Sequence, residues 1–595
     1  MAKKQPYSKK SSRETFYLKK GRQAVKDAKF HTAIAYFEKI AQGSPHYGQA
    51  CKGKGAAFLR TGQLSEALTA LQAAHRALPE DGAILVDGGD VARLLGHLIA
   101  AESTYAEARQ LGENSYQLRF GEASLLVAQQ RWLEAAASWI KLSDAYPDNV
   151  KVLHNLGKAW HELGETDRAI QLWVDALRIE ATTPTRMALA TDAPHAESCD
   201  HDTVKKWRTE LAEQLLQQDC ADNIVVNLNS RRPKLKIGYV SAFFHRPNWM
   251  KPVWALLNHQ NREQFEVHLF ADGPPEQISN LGGYHTDTRD TIHDTRALDN
   301  AHLRALIREH AIDILVDLNG YSCTSRLGLW TRKPAPLTVG WFNFYATSGM
   351  PGIDYLIGDE MVIRTSEETY YTETIRRLQH SYLTFQVGYD TPDIRSPQRH
   401  QPFTYGCLGS GYKITPAVRE AWIQLLKITP ETHLLVRNRV LDQEAHKRWF
   451  AKFFTAQGIA SERLHLLGSA EHTKFLQTYD QIDLALDTFP YNGGTTTMES
   501  LWQGVPVVCF TGDRWVSRTS ATLMHAAELN EFIGGDVENY IQIASEYSTS
   551  EQRQRLHSLR SQMRTRLEQS AACDGQGLAR EFEDLMLELW GKLSV

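Results

Sequence analysis

In the stretch DTFPYNGGTTTMESLWQGVPVV, residues 487–508, two adjacent glycines and three consecutive threonines (493–497) lie between two apolar runs. The run LALDTF (484–489) predicts a buried strand, MESLWQG (498–504) a short helix, and VPVVCF (505–510) a second strand. A strand, loop, helix and strand in this order form the unit of a parallel α/β sheet. By spacing alone, the loop is equally compatible with turn chemistry, in which Thr495 only caps the helix, and with a phosphate cradle.

The same alternation of apolar runs and helical stretches extends through the C-terminal two-thirds of the chain. It predicts parallel sheets in two doubly wound, Rossmann-like lobes that face each other across a cleft. A polar break, RSPQRHQP (395–402), separates the two series of strands. The predicted strands are 236–244, 265–271, 312–318, 337–342 and 354–359 in the first series, and 403–408, 433–438, 463–468, 483–489 and 506–510 in the second.

The N-terminal third repeats with a period of 34 residues. The turn positions of the repeat are Ala28, Gly62, Gly96, Gln130 and Gly164. Alanine follows each turn position by five residues, and a bulky apolar residue follows that alanine by four. This is the period of the tetratricopeptide repeat, in which small alanines let antiparallel helices approach closely. Residues 15–182 are therefore expected to form an α-solenoid of about five repeats, whose concave face holds a protein or peptide.

Composition limits the remaining assignments. The net charge is −4, no apolar run approaches the ~18 residues of a membrane span, and seven scattered cysteines form no CxxC pair. We therefore expect no nucleic acid partner, no membrane span and a reducing, cytoplasmic location. The predicted segments are a basic tail (1–14), the repeats (15–182), a linker with a helical transition (183–233), a first lobe (234–393), a second lobe (394–535) and C-terminal helices (536–595).

Polar residues in the second lobe follow predicted strands, where parallel sheets bind their ligands. Lys413 lies in CLGSGYKITP (407–416) after the first strand of that lobe, and Ser410 precedes it. Amides and hydroxyls at the helix start near Thr495 can donate to phosphate oxygens, and Glu499 can accept from a ribose hydroxyl. Arg518 is a weaker candidate, for which a surface salt bridge is equally compatible.

Three loops of the first lobe follow strands and are predicted to line the same cleft. HRPNWMKP (245–252) contributes His245, which is expected to act as a base or to hold a sugar hydroxyl. The candidate contacts of NGYS and NFYATSG are Tyr321, Ser322, Tyr345 and Thr347.

We expect no metal and no cofactor. The sequence has no GxxxxGK[ST], no strand-borne GxGxxG and no HExxH or other close cluster of metal-binding residues. Asp483 and Asp487 are four residues apart, not in an Asp-x-Asp pair. Lysine, arginine and backbone amides are therefore expected to neutralise phosphate charge.

Six motifs together carry a resemblance to a known family. They are IGYVS (237–241), ILVDLNGY (314–321), RKPAPLTVGWFNFYATSGMPGIDYLIGD (332–359), YKITP (412–416), LALDTFPYNGGTTTMESLWQGVPVV (484–508) and GDRWVSR (512–518). With the preceding repeats, they resemble the O-GlcNAc transferase family, which also contains the plant SPINDLY-type protein O-fucosyltransferases and repeat-bearing bacterial members. The resemblance covers about residues 15–535, and the third and fifth motifs are the most specific.

This resemblance implies a GT-B fold and a metal-independent, inverting transfer of a sugar from a nucleotide sugar to Ser or Thr of a protein. UDP-GlcNAc is the expected donor. GDP-fucose and a glucose donor stay open as alternatives, and so does a non-catalytic scaffold whose repeats recruit a partner. The acceptor protein is not specified by any residue.

The resemblance also assigns residues by position. It implies that Lys413 contacts the diphosphate, that Thr495 and Thr496 lie at the phosphates, and that Glu499 lies at the ribose. The complete nucleotide-sugar site is expected to comprise Ser410, Lys413, Asn492, Gly493, Gly494, Thr495, Thr496, Thr497, Glu499, Arg518 and His472, with Lys413 and His245 in catalytic roles.

The chain departs from the family pattern at two places. Phe243 stands where the first-lobe motif usually has aspartate, and the histidine that follows is displaced, which makes His245 its counterpart. In the second lobe, Phe475 falls at the position of a histidine of the animal enzymes, and His472 lies three residues earlier.

Overall fold

The computed structural model describes residues 7–219, 233–278, 283–395 and 402–593. Contacts within the chain divide it into two compact units, Met1–Ala159 and Trp160–Val595. Within the described ranges, no helix combines the length and the apolar character needed to cross a membrane. The lobe boundaries given above stay a prediction, and most of the polar break at 395–402 lies outside the described residues.

Ten helices follow the 34-residue period. They are α1 (Tyr7–Lys26), α2 (Phe30–Phe37), α3 (Tyr47–Arg60), α4 (Leu64–Ala77), α5 (Gly82–Leu94), α6 (Leu98–Gln110), α7 (Tyr116–Ala128), α8 (Trp132–Ala145), α9 (Val150–Glu162) and α10 (Thr166–Ile179). All five predicted turn positions have a left-handed backbone, with φ between 55° and 80°. The alanine after each turn is completely buried, and the bulky apolar residue beyond it is at most 2% exposed. The tetratricopeptide prediction is confirmed.

Residues 183–192 form a helix, where the sequence predicted a linker. This helix, α11 (Thr183–Asp192), has a proline in its first turn, where the missing N–H costs no helical hydrogen bond. Leu189 and Ala190 of α11 are completely buried. The helical transition predicted within 183–233 follows as α12 (His201–Gln218). Residues 220–232 lie outside the described part of the chain.

The first lobe is built on a seven-stranded parallel sheet in the order β3-β2-β1-β4-β5-β6-β7. Its strands are β1 (Leu235–Ser241), β2 (Phe265–Ala271), β3 (Thr291–Asp294), β4 (Ile314–Asp317), β5 (Leu337–Gly340), β6 (Tyr355–Asp359) and β7 (Thr374–Leu378). The helices between them include α13 (Lys251–Leu257) and α14 (Asn300–Glu309). The central strands β4 and β5 are buried at every position, as expected for a sheet covered on both faces.

The second lobe has a six-stranded parallel sheet in the order β10-β9-β8-β11-β12-β13. Its strands are β8 (Thr404–Cys407), β9 (His433–Arg437), β10 (Leu464–Leu467), β11 (Leu484–Leu486), β12 (Val507–Phe510) and β13 (Ile533–Gly534). Its helices are α15 (Pro416–Ile428), α16 (Glu444–Thr455), α17 (His472–Gln477), α18 (Thr495–Trp502), α19 (Thr519–Ala526) and α20 (Val537–Tyr547). All ten predicted strands are present in the two sheets, somewhat shortened, whereas β3, β7 and β13 were not predicted.

The strand order fixes where a ligand can bind. Each sheet reverses its winding direction once, between β1 and β4 in the first lobe and between β8 and β11 in the second. Loops that follow such neighbouring strands diverge and leave a crevice at their carboxyl ends. The loop after β8 contains Lys413, and the loop after β11 contains the Gly-Thr cluster. The topology therefore brings the two candidate phosphate-binding segments to one crevice.

Two C-terminal helices, α21 (Ser550–Glu568) and α22 (Gly575–Leu593), end the described chain. Helix α22 returns to the first lobe, where Phe582 lies with its ring centroid 5.3 Å from that of Trp341. The carboxylate of Glu583 accepts a hydrogen bond from the amide of Asn261 at 2.5 Å. Helix α22 thus packs on the first lobe, although the entire second lobe lies between the two in the sequence.

Candidate functional site

The Gly-Thr loop is held by the carboxylate of Asp487, which comes directly after β11. Its Oδ1 accepts hydrogen bonds from the amides of Thr488 at 2.9 Å and of Gly493 at 2.8 Å. The Phe489–Pro490 peptide bond within the loop is cis. Oδ2 of Asp487 is buried without a hydrogen-bond partner among the described residues, and burial raises the pKa of this carboxyl to about 6.

Gly493 has no room for a side chain. A Cβ atom there would lie 2.5 Å from Oγ1 of Thr497 and 2.9 Å from Oγ1 of Thr496. The carbonyl of Gly493 accepts from Ser520 Oγ at 3.0 Å, and Ser520 also contacts Thr497 Oγ1 at 2.8 Å. Thr497 was predicted to bind the nucleotide sugar, but its buried hydroxyl is already used to fasten the loop to α19.

Thr495 and Thr496 open helix α18 and differ from Thr497. Both are partly exposed, and their hydroxyl groups make no hydrogen bond to any other residue that the structure describes. The residue before them, Gly494, provides no capping side chain, so the first amides of the helix have no side-chain acceptor there. Two hydroxyls and the free amides of a helix start are donors of the kind that bind phosphate oxygens.

Lys413 reaches this loop from the neighbouring strand. It ends a 3-10 turn (Gly411–Lys413) after β8, with the exposed Ser410 at the start of the turn. Its Nζ donates a hydrogen bond to the carbonyl oxygen of Asn492 at 2.7 Å and lies 3.6 Å from the ring centroid of Tyr491. Burial lowers the pKa of Lys413 to about 8, and the nearby Asp487 carboxylate opposes that shift.

These groups surround one cleft. The residues that line it include Gly409, Lys413, Asp487, Gly493 and Thr496. Asn492, predicted as part of the site, adjoins the cleft and has a buried Oδ1 without a hydrogen-bond partner among the described residues. The crevice at the sheet reversal thus combines one lysine with exposed hydroxyl and amide donors.

Glu499, one turn into α18, belongs to a second cluster that bridges the two lobes. One of its carboxylate oxygens lies 3.7 Å from Nζ of Lys251 at the start of α13, and 3.7 Å from Nε2 of His472. Lys251 and Glu499 are almost completely buried. Lys251 Nζ also donates to the hydroxyl of Tyr389 at 3.3 Å, and the Tyr389 ring lies 5.4 Å from that of His472. His472, rather than Phe475, is therefore the residue that approaches Glu499.

Arg518 is not available to a phosphate. It is completely buried, and its guanidinium group forms two hydrogen bonds of 2.7 and 2.8 Å to the carboxylate of Glu367 in the first lobe. A third bond, of 2.8 Å, goes to the carbonyl oxygen of Gly512. The prediction that Arg518 binds the donor is wrong. The alternative of a surface salt bridge is wrong too, because the Arg518–Glu367 pair is buried and joins the two lobes.

The first-lobe candidates divide into two groups. The hydroxyl of Tyr321 donates to the carbonyl of Ser348 at 2.8 Å, and Thr347 donates to the carboxylate of Glu373 at 2.7 Å. Both residues are buried, so these predicted cleft contacts have structural roles instead. Ser322 is exposed.

The other two candidates are Tyr345, which lies near Lys413, and His245, which lies in the loop after β1. Tyr345 has a left-handed backbone, with φ 60°, and its ring lies 5.5 Å from the ring of Tyr491 beside Lys413. His245 packs against Gly273, where a Cβ atom would come within 2.3 Å of its Nδ1. Burial, together with the neighbouring Arg246, lowers the pKa of His245.

One further contact was not predicted from the sequence. His195, between α11 and α12, stacks on Tyr491 with 4.0 Å between ring centroids, and its Nδ1 lies 3.5 Å from the carboxylate of Asp192. Burial lowers the pKa of His195 to about 4, so the imidazole is neutral. The segment that was read as a linker therefore supports the aromatic ring against which Lys413 rests.

Comparison with known proteins agrees with this geometry. A model of glycosyl transferase family 41 matches residues 214–391 and 400–581, which is more than half of the chain. A tetratricopeptide repeat model matches residues 18–82 and 120–184.

Two named relatives illustrate the similarity in sequence. The probable UDP-N-acetylglucosamine–peptide N-acetylglucosaminyltransferase SPINDLY of Hordeum vulgare is 28% identical over 402 residues, which cover 66% of this chain and 41% of the relative. The UDP-N-acetylglucosamine–peptide N-acetylglucosaminyltransferase of Caenorhabditis elegans is 20% identical, over 60% of this chain and 41% of the relative. The chain thus matches about two-fifths of the length of these relatives.

Among solved structures, a mutant of the Thermobaculum terrenum O-GlcNAc transferase has the same fold. It superposes with a TM-score of 0.69 and 24% identity, and the match covers 92% of this chain and 98% of that one. The predicted architecture of tetratricopeptide repeats followed by a two-lobed GT-B fold is confirmed.

Proposed function

Because the chain belongs to glycosyl transferase family 41, we propose that it transfers a sugar from a nucleotide sugar to a serine or threonine hydroxyl of a protein. The observation that carries this proposal is the convergence of Lys413 with the start of α18 on one cleft. Its lysine, hydroxyl and amide donors are of the kind that binds phosphate oxygens. UDP-GlcNAc is the proposed donor, in line with the names of the relatives.

The diphosphate is proposed to lie between Lys413 and the hydroxyls of Thr495 and Thr496. Lys413 Nζ now donates to the carbonyl of Asn492, which holds the amine at the edge of the cleft while leaving further N–H donors for phosphate oxygens. A bound dianion would favour the ammonium form of Lys413 and raise its pKa from about 8. We propose that this lysine, and not a metal ion, supplies the principal positive charge.

Glu499 is proposed to bind the ribose. Its Oε1 lies 3.7 Å from Lys251 of the first lobe and from His472 but has no hydrogen-bond partner among the described residues, so it can accept from a sugar hydroxyl. Since Lys251 and Glu499 come from different lobes, this ion pair couples the position of α13 to that of the nucleotide site.

The reaction is proposed to invert the anomeric carbon. The acceptor hydroxyl attacks this carbon from the face opposite the diphosphate, the bond to the diphosphate oxygen breaks, and the hydroxyl proton leaves. Negative charge grows on the leaving oxygens, and a positioned donor such as Lys413 contributes roughly 3–4 kcal/mol to stabilising it. His245 is the proposed acceptor-side residue, because a lowered pKa keeps its imidazole neutral and able to take a proton.

The repeats are proposed to hold the acceptor chain, which would raise its effective concentration at the cleft. A cytoplasmic location remains part of the proposal.

A screen of nucleotide sugars tests the function. The protein is incubated with UDP-GlcNAc, GDP-fucose and UDP-glucose in turn, together with Ser/Thr-containing peptides, and the products are read by mass spectrometry. The proposal expects one donor to be transferred or hydrolysed preferentially, with UDP-GlcNAc favoured. Preference for another donor would correct the sugar, and no nucleotide binding with any donor would favour a scaffold.

A further inference from the structure

Three histidines distant in sequence converge on the outer part of the first-lobe sheet. His268 lies on β2, His293 on the edge strand β3, and His310 at the C-terminal end of α14. One imidazole nitrogen from each lies within 4.8 Å of the others. No metal-binding cluster was predicted here, because no two of these residues are close together in the chain. None of the three lines the donor cleft.

The sheet register explains why two of these side chains meet. Strands β2 and β3 are parallel, with Phe270 opposite His293 and His268 opposite Thr291. Residues two apart on a strand share a face, so His268 and His293 project to the same side. His293 stacks on Phe270 with ring centroids 4.6 Å apart, which fixes the plane of its imidazole.

Nitrogen atoms of these two rings point directly at each other. Nδ1 of His268 lies 3.0 Å from Nε2 of His293. Two ligands at the Zn–N distance of about 2.0–2.1 Å in tetrahedral geometry are separated by roughly 3.3–3.4 Å. A metal ion between the rings therefore requires them to part by only a few tenths of an ångström. The ring of His310 lies 4.4 Å from that of His293 and supplies the third nitrogen.

A carboxylate orients the buried member of the group. Nε2 of His268 lies 3.1 Å from the Glu266 carboxylate, which also pairs with Lys236 at 3.0 Å. With its Nε2–H donated to Glu266, His268 keeps the lone pair on Nδ1, directed at the centre of the cluster. Metal-binding histidines in proteins nearly always have such a carboxylate or carbonyl partner on the other ring nitrogen.

The cluster is also reachable. His293 and His310 are only half-buried, which opens the cluster to solvent.

We propose that His268, His293 and His310 form a site for a divalent transition-metal ion of the zinc class, with water as the fourth ligand. Three nitrogens and an open position suit Zn²⁺, and also Cu²⁺ or Ni²⁺, better than the oxygen-preferring Mg²⁺ or Ca²⁺. When the ion binds, the proton that His293 Nε2 shares with His268 moves to Nδ1 of His293, and three nitrogen lone pairs bind the metal. The ion would fasten the edge strand β3 and α14 to β2, independently of sugar transfer.

The test is zinc titration of tag-free, chelator-treated protein in competition with a chromophoric chelator. We expect one ion per chain for the wild type. His293→Asn and His310→Asn should each remove that ion or weaken its binding at least about 100-fold, and Glu266→Gln should weaken it roughly 10- to 100-fold. Co²⁺ should show the visible absorption bands of a tetrahedral site in the wild type and not in His293→Asn or His310→Asn.

His465→Asn is the matched control. His465 pairs with His433 at 2.8 Å on strands of the second lobe, but within the described residues this pair belongs to no group of three potential ligands. The control should retain the ion. Circular dichroism identifies any variant that fails to fold. If a histidine variant fails to fold, zinc binding by Glu266→Gln, at a half-exposed position, decides whether the cluster holds the ion. Equal zinc binding by the wild type and every folded cluster variant, or no binding by the wild type, would overturn the proposal.

Discussion

The ammonium group of Lys413 lies 2.7 Å from the carbonyl oxygen of Asn492, although 79 residues separate the two in the chain. This contact joins the loop after β8 to the loop after β11 at the point where the sheet reverses direction. It brings a lysine and the Gly-Thr loop together at one cleft. The predictions below follow from this arrangement and from the buried pairs around it.

Nucleotide affinity should fall as pH rises through about 8. Burial lowers the pKa of Lys413 to about 8, so the ammonium form dominates at lower pH and is lost above it. Because the diphosphate binds the charged form, the Kd for UDP should be nearly constant around pH 7 and increase by up to roughly tenfold per pH unit above 8. Isothermal titration calorimetry at pH 7, at pH 8 and above pH 8 measures the Kd for UDP. A Lys413→Met variant should show weaker binding without this pH dependence, and a wild-type Kd that stays flat would contradict the prediction.

Gly493→Ala should weaken UDP binding by roughly tenfold or more. The new methyl group would lie 2.5 Å from Thr497 Oγ1 and force the loop away from the helix start, and overpacking of this kind costs about 1–3 kcal/mol. Gly535→Ala is the matched control, because nothing lies within 4 Å of a Cβ atom there. Equal affinities of the two variants for UDP would show that nucleotide binding does not depend on the close packing of the loop at Gly493.

The fold was largely accessible from sequence because its signals are local. Turn spacing indicated the repeats, and continuous apolar runs indicated the central strands. The missed strands β3 and β7 carry exposed polar or basic residues at the edges of the sheet, where burial leaves no apolar signature. Helix α11 was missed because threonine, proline and aspartate dominate a segment that is held by tertiary packing.

Only part of the candidate site could be predicted from the sequence. Lys413 and the threonines could be placed, because loops after neighbouring parallel strands must converge. The partners of Glu499 and of Arg518 could not, because Lys251 and Glu367 come from another lobe and no local pattern encodes such pairings. Arg518 was interpreted as a donor-site residue or a surface salt bridge for the same reason, because its buried position depends on how the lobes pack.

Lys251→Met should destabilise the protein more than the double variant Lys251→Met/Glu499→Met. Loss of the lysine alone leaves a buried carboxylate with only the half-exposed His472 at 3.7 Å, and a broken buried pair typically costs about 3–5 kcal/mol. Replacing both partners removes the uncompensated charge. Thermal unfolding of the two variants compares them, and identical midpoints would argue that Lys251 and Glu499 are not energetically coupled.

Arg518→Met should lower stability without changing nucleotide affinity. The guanidinium group is engaged by Glu367, so its loss leaves a buried carboxylate unpaired, again at a cost of about 3–5 kcal/mol. Glu367→Gln should have a similar effect on the thermal midpoint. UDP binding, measured well below that midpoint, should match the wild type within about twofold. A large increase in Kd with unchanged stability would instead restore Arg518 to the phosphate site.

The most direct test is sugar transfer by the wild type and by Lys413→Met, compared side by side with Lys427→Met on the exposed end of α15. Mass spectrometry of the acceptor measures the product formed from the preferred donor. The proposed role of Lys413 predicts that its variant loses roughly two to three orders of magnitude in rate while the Lys427 variant retains the wild-type rate. Near-normal transfer by a folded Lys413→Met protein would contradict the proposal that this lysine stabilises the departing diphosphate.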